Sequence, residues 1–103
     1  FGERSDIDAR TFAFAGGVIK LVRDAGPRLP RALGDHAVMM AAEIGELAVE
    51  AQVGNNKERF VKKMTSARRL SRQIAYWLKL IDEAEAVPRD RIIALLDQAR
   101  QIN

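Results

Sequence analysis

Apolar or small residues recur along most of this chain at alternating steps of three and four. The longest such run lies between Asn56 and Ala84 and keeps this spacing through three heptads. Its members are Phe60, Met64, Ala67, Ser71, Ile74, Leu78 and Ile81. Because these steps place side chains on one face of an α-helix, the run predicts a long amphipathic helix that packs lengthwise against other helices.

The same spacing elsewhere predicts four helices in all. Their predicted ranges are about 6–25, 30–53, 56–85 and 88–102. Residues that end or restart helices stand at the breaks, namely Gly26-Pro27, Gly54 and Pro88. No segment alternates with the two-residue period of a strand. The sequence therefore predicts an all-α fold, an antiparallel up-down-up-down four-helix bundle that forms one domain over residues 1–103.

Two local features carry finer predictions. Asn55 stands three residues before Glu58, the spacing of a capping box at the start of the third helix. Gly16-Gly17 lies inside the first helix, where each glycine costs roughly 1 kcal/mol relative to alanine. We expect another backbone to approach the first helix closely at this pair.

Composition narrows the range of functions. The chain has 103 residues, no cysteine and a net charge of +3. Without cysteine there are no disulfides and no thiolate metal sites, and a reducing cytoplasm is the expected location. The longest apolar stretch, Phe12 to Ile19, is far shorter than the ~18 residues that cross a bilayer. We therefore expect no membrane partner.

Charge is unevenly divided between the second and third helices. Between Lys57 and Lys79 there are eight basic residues and one acid, whereas between Asp35 and Gln52 there are four acids and no Lys or Arg. Such segregation indicates either an anionic partner or an acidic helix beside a basic one, in the same chain or in a neighbouring subunit.

Residues that could carry catalysis or bind a metal are sparse. His36 is the sole histidine, whereas the di-metal sites of helix bundles need a Glu-x-x-His on each of two helices. Glu43, Glu46 and Glu50 share a helical face and could attract a hard cation, but solvated or salt-bridged glutamates explain them more simply. The serines of the third helix have no histidine nearby in the sequence. We expect no enzymatic activity, no cofactor and no metal site.

A basic face of the third helix is the candidate contact surface for nucleic acid. We call it the basic strip, and it consists of Lys62, Arg69, Arg72, Tyr76 and Lys79. These residues lie opposite the apolar stripe on a helical projection. At 1.5 Å per residue the basic strip is about 25 Å long, enough to follow a nucleic-acid backbone, and Tyr76 could stack on a base. The alternative is a solvated face whose charges pair with nearby acids.

The first two helices carry more apolar surface than one bundle core requires. A helix packed in such a core buries a stripe of about 100°. Phe12, Phe14, Met39, Met40 and Trp77 cannot all point into one small core. Because surplus apolar surface commonly marks a subunit interface, these five residues are the candidate oligomer interface.

Several short motifs are shared with a known family of proteins. They are Phe14-Ala15 and Val18 to Val22 in the first helix, Leu33-Gly34, Ile44-Gly45 and Glu50 to Gln52 in the second, and Phe60, Lys63, Ala67 and Tyr76 to Ile81 in the third. In this order and spacing, from about Phe12 to Ile93, they resemble the bacterial 23S rRNA intervening-sequence proteins, which are S23-type four-helix bundles. The chain departs from the family's usual polar residues at Met39-Met40, Leu47 and Gln73, so we expect a divergent member.

The resemblance implies a cylindrical homopentamer of bundles. It also implies a link to the accessory variability determinant of diversity-generating retroelements, a basic pentamer that binds a reverse transcriptase and RNA. The leading hypothesis is therefore a non-catalytic, homo-oligomeric scaffold or accessory protein. The alternative hypothesis is an accessory factor that binds RNA or another nucleic acid, in partnership with a reverse transcriptase, through the basic strip.

Overall fold

The computed structural model describes the backbone of residues 4–102 and the side chains of residues 6–102. It contains four α-helices, α1 (Arg4–Ala25), α2 (Arg31–Ala51), α3 (Lys57–Glu83) and α4 (Arg89–Ile102), and a short 3-10 helix at Gly26–Arg28. Residues 4–102 contain no strand. The predicted all-α fold with four helices is confirmed, and each observed helix end lies within two residues of the predicted one.

The four helices follow one another around the perimeter of the bundle. Each helix packs on its neighbours in the sequence, and α1 also packs on α4. Gln52, just after α2, donates a hydrogen bond from its amide to the carboxylate of Asp8 near the start of α1. At the other end of the bundle, the guanidinium of Arg91 in α4 lies 2.9 Å from the carboxylate of Asp24 in α1. These contacts join the end of one helix to the beginning of another, so the arrangement is antiparallel.

One apolar stripe from each helix forms the core. The α3 stripe is buried from Met64 to Ile81, as its spacing predicts, and Phe60 is half-buried. The buried positions of α2 are dominated by small side chains, namely Ala37, Ala41, Ala48 and Ala51. Large residues of α3 pack in the same core as these alanines. Because small and large side chains interdigitate, α2 and α3 can approach closely along their length.

Two residues of the candidate oligomer interface belong to this core. Phe14 is completely buried within the subunit, and Met40 is only 7% exposed. Their assignment to an oligomer interface is therefore wrong. The reason is helical geometry, since residues two apart lie on nearly opposite sides of a helix and adjacent residues about 100° apart. Consequently Phe14 faces the core while Phe12 faces solvent, and Met40 turns inward while Met39 does not.

Where a glycine of this bundle lies close to another element, its nearest neighbours are side-chain atoms and not backbone. A Cβ atom on Gly17 would lie 2.9 Å from Cδ2 of Leu95, whereas Gly16 has no such neighbour within 4 Å. The predicted approach of another backbone at this pair is therefore wrong. The closest approach occurs at Gly34, where a Cβ would lie 2.8 Å from Cγ1 of Val22. Val22 is β-branched and stiff in a helix, so glycine at position 34 allows α1 and α2 to pack closely.

Helix α3 begins one residue later than the predicted capping box requires. Asn56 is the N-cap residue, and its side-chain oxygen accepts a hydrogen bond of 2.9 Å from the backbone N–H of Arg59. The capping box based on Asn55 is therefore wrong. The side chain of Asn56 satisfies one of the backbone donors that the first turn of a helix leaves unpaired.

We expect Asn56→Ala to lower the free energy of unfolding by about 1 kcal/mol, because it removes this cap. Asn55→Ala is the matched control, since it removes the same side chain one position earlier and leaves the cap in place. Urea unfolding followed by circular dichroism at one fixed protein concentration measures both effects. Equal losses for the two variants would contradict the assignment of Asn56 as the cap.

Candidate interaction surfaces

The five residues of the basic strip lie together on the outer face of α3. All of them are exposed, and the Tyr76 side chain is 62% exposed. The Tyr76 ring contacts Trp77 edge-on, with ring centroids 6.2 Å apart. All five residues of the strip are thus accessible to solvent.

Acidic residues of the same chain neutralise the charge of the basic strip only in part. Among the described residues, Lys62, Arg69 and Lys79 have no carboxylate within 4.0 Å. The acidic helix α2 does lie beside the basic helix α3, and Lys63 pairs with Glu50 at 3.8 Å. Contact between the two helices within one chain therefore explains only part of the charge segregation.

Helix α4 extends the basic surface. Arg100 lines a shallow groove between α3 and α4 together with Arg72 and Lys79. Its guanidinium also lies 3.6 Å from the carboxylate of Asp97. Arg100 was not predicted as part of this surface, because nothing in the spacing along α4 indicates which helix it faces.

A second surface is an open groove of about 800 Å³ between α1 and α2, which we call the α1/α2 groove. It is lined by Asp8, Ala9, Thr11, Phe12, Ala15, Ile19, Ala42, Gly45, Glu46, Val49 and Glu50. Seven of these residues are apolar or glycine. Phe12 is 82% exposed, and Ile19 and Val49 are each at least half exposed. The structure therefore presents a largely apolar surface to solvent between two helices.

All three charged residues that line the α1/α2 groove are acidic. Asp8 accepts the hydrogen bond from Gln52, and Glu50 pairs with Lys63. Within residues 6–102, Glu46 has no basic side chain within 4.0 Å. The groove thus combines an apolar lining with negative charge.

The candidate interface residues separate into three groups. Phe12 lies in the α1/α2 groove, and Phe14 and Met40 lie in the core. Met39 is 69% exposed and borders the groove, because it lines a smaller pocket that shares Ala42, Glu46 and Glu50 with it. Trp77 is half-buried against the core, and its ring lies over that of His36 with centroids 3.9 Å apart.

Ten of the eleven groove residues, among them Ile19, Glu46 and Val49, are absent from the candidate interface predicted from sequence. The sequence does contain a signal for Ile19 and Val49, because Ile19 lies seven residues after Phe12 and Val49 lies seven residues after Ala42. Residues seven apart lie on the same face of a helix. Which face of α1 meets which face of α2 is a property of the tertiary fold.

Neither a metal cluster nor a membrane-spanning helix is found among the described residues. Within residues 6–102, no three His, Cys, Asp or Glu side chains converge as a metal site. None of the helices between residues 4 and 102 has the length and apolar character needed to cross a membrane.

The same fold occurs in a solved bacterial protein. The crystal structure of a protein of unknown function from the S23 ribosomal protein family of Bacteroides thetaiotaomicron aligns with a TM-score of 0.88 and 18% sequence identity. The alignment covers 98% of this chain and 91% of that chain. No protein-family model and no curated protein matches this chain. At 18% identity, the similarity establishes a shared four-helix fold over nearly the whole chain.

Proposed function

We propose that this protein is a non-catalytic, homo-oligomeric four-helix-bundle scaffold or accessory protein of the cytoplasm. The observation that carries the proposal is the α1/α2 groove, where Phe12, Ile19 and Val49 are exposed side by side with small apolar residues. Single exposed apolar residues are ordinary on a monomer, but a contiguous apolar surface marks a place where another molecule binds.

Similarity to known proteins supports an assembly of this kind. The motifs from Phe12 to Ile93 resemble the 23S rRNA intervening-sequence family, for which the expected assembly is a cylindrical homopentamer. The fold shared with a protein of the S23 ribosomal protein family agrees with that resemblance. Five subunits is therefore the number that we propose.

The roles of the polar side chains support a non-catalytic function without a cofactor. Thr11 is buried, and its hydroxyl donates a 2.9 Å hydrogen bond to the carbonyl of Ile7. Ser71 is also buried, and its hydroxyl donates to the carbonyl of Arg68 at 2.8 Å. These hydroxyls bond to helix carbonyls, as serine and threonine commonly do inside helices.

Replacing the most exposed groove residue tests the proposal. Phe12→Ser removes a large apolar side chain from the groove without touching the core. Burying a phenylalanine is worth about 1.5–3 kcal/mol, so we expect the dissociation constant of the assembly to rise roughly ten- to hundredfold. Light scattering across a dilution series measures this change.

Val53→Ser is the matched control. Val53 is 59% exposed but lies in the connection between α2 and α3, outside the groove. We expect its assembly to equal that of the wild type, with circular dichroism confirming that both variants are folded. Unchanged assembly of the Phe12→Ser variant would remove the α1/α2 groove from the interface.

A second candidate function rests on the basic strip. Three of its basic side chains have no carboxylate partner among the described residues, and Tyr76 is exposed between them and available for stacking. We propose, as the alternative, an accessory factor that binds RNA or another nucleic acid through this strip. The resemblance to the accessory variability determinant adds a reverse transcriptase as its protein partner.

The double variant Arg69→Glu plus Arg72→Glu tests this alternative. If both side chains contact phosphates, RNA binding weakens strongly, and the slope of log affinity against log salt becomes shallower by about 1 to 2. Lys20→Glu plus Arg28→Glu makes the same change in net charge away from the strip and serves as the control. Equal RNA binding by the two double variants would count against the alternative.

A further inference from the structure

The α1/α2 groove and the basic strip lie on different sides of the bundle. The groove opens outward between α1 and α2. Arg72 and Lys79 of the strip border the groove between α3 and α4, whereas Lys63, next to the strip on α3, turns toward Glu50 of α2. Arg72 and Lys79 therefore lie on the α4 side of α3. Since α1 and α2 form one side of the bundle and α3 and α4 the other, the two surfaces do not overlap.

The two surfaces are complementary in charge. The groove is lined by three carboxylates and no basic residue, and Glu46 has no basic partner in the described chain. The strip carries four basic residues and no acid. Glu46 and Glu50 are about 6 Å apart along α2, and Arg69 and Arg72 about 4.5 Å apart along α3, so the two sets of charges are spaced on a similar scale. Electrostatic potentials of opposite sign across an interface favour its formation and fix its register.

The basic side of the bundle also carries apolar groups that can enter a groove. Tyr76 lies one turn beyond Arg72 and is largely exposed. Ile93 of α4 is 56% exposed and lies seven residues before Arg100, on the same side of α4 as the groove shared with α3. Tyrosine and arginine together are typical of the central residues of protein interfaces.

We infer that the α1/α2 groove of one copy of this chain receives the basic strip of a second copy. The inference rests on the proposed homo-oligomer and names the two surfaces that form it. The contact is heterologous, because each copy contributes a different surface. Each bound subunit therefore retains one groove and one strip for its next neighbours, and a suitable rotation between neighbours closes the chain of subunits into a ring.

Pairing of two grooves is the less favourable arrangement. It would bring together the carboxylates of Asp8, Glu46 and Glu50 from both copies, and juxtaposed like charges oppose association. The heterologous contact instead places these acids against basic side chains. It also covers the basic strip, so that subunits and RNA would compete for the same surface and raised salt would weaken the assembly.

A charge exchange tests the inference. Glu46→Lys alters the groove, Arg69→Glu alters the strip, and the double variant carries both changes in one chain. We expect each single variant to raise the dissociation constant of the assembly at least about tenfold, since close charge pairs at interfaces commonly contribute that much. We expect the double variant to recover most of this loss, because opposite charges then face each other again with their signs exchanged. Light scattering of the four proteins over one dilution series gives all the dissociation constants.

Two further variants separate this effect from a change in overall charge. Asp35→Lys reverses an exposed acid of α2 outside both the α1/α2 groove and the smaller pocket beside it, and Lys20→Glu reverses an exposed base of α1 outside them. We expect both to assemble like the wild type. Circular dichroism establishes that every variant keeps the helical content of the parent chain.

The outcomes are distinct. Assembly that is weakened by each single reversal and restored in the double variant supports the inference. Loss of assembly in Glu46→Lys with no effect of Arg69→Glu overturns it, since the groove would then bind something other than the strip, while the homo-oligomer stands. A double variant no better than the single ones also overturns it. A wild-type chain that is monomeric at every concentration refutes the proposed homo-oligomer itself.

Discussion

The packing of α3 against α2 is the contact on which the rest of the bundle depends. It is the most extensive contact between helices in the described chain, and α3 is the longest helix. Alanines at the buried positions of α2 leave space for Ile74, Leu78 and Ile81 of α3. Once these two helices are joined, α1 and α4 can only complete the core from the remaining sides. The order of helices around the bundle, and therefore which surfaces face outward, follows from that pairing.

A small bundle can bury only one stripe from each helix. In α1 and α2 a second apolar stripe remains outside, and the fold places these two stripes next to each other to form the α1/α2 groove. On another side of the bundle, α3 presents its basic strip and α4 adds Arg100. The charge segregation noted in the sequence thus has two components. One is the contact between neighbouring helices, represented by Glu50 and Lys63, and the other is a difference between two outer faces of the bundle.

The sequence predicts the helices well because their signals are local. The three-and-four spacing predicts the buried face of α3, and glycine and proline mark the helix ends. Predictions that required a choice between residues one or two positions apart failed. Asn56, and not Asn55, caps α3, and Phe14 is buried while Phe12 is exposed. Features that combine two helices, such as the presence of Phe12 and Val49 in one groove, depend on tertiary packing. No spacing within a single helix contains that information.

The central claim is that the α1/α2 groove is an interface between copies of this chain. The most direct test is the native mass of the wild-type protein, measured by size-exclusion chromatography with light scattering while absorbance at 260 and 280 nm is recorded on the same peak. The account predicts a peak at a multiple of 11.5 kDa, with five subunits as the expected number, and the absorbance ratio of protein alone. A peak at 11.5 kDa at micromolar concentrations would contradict it.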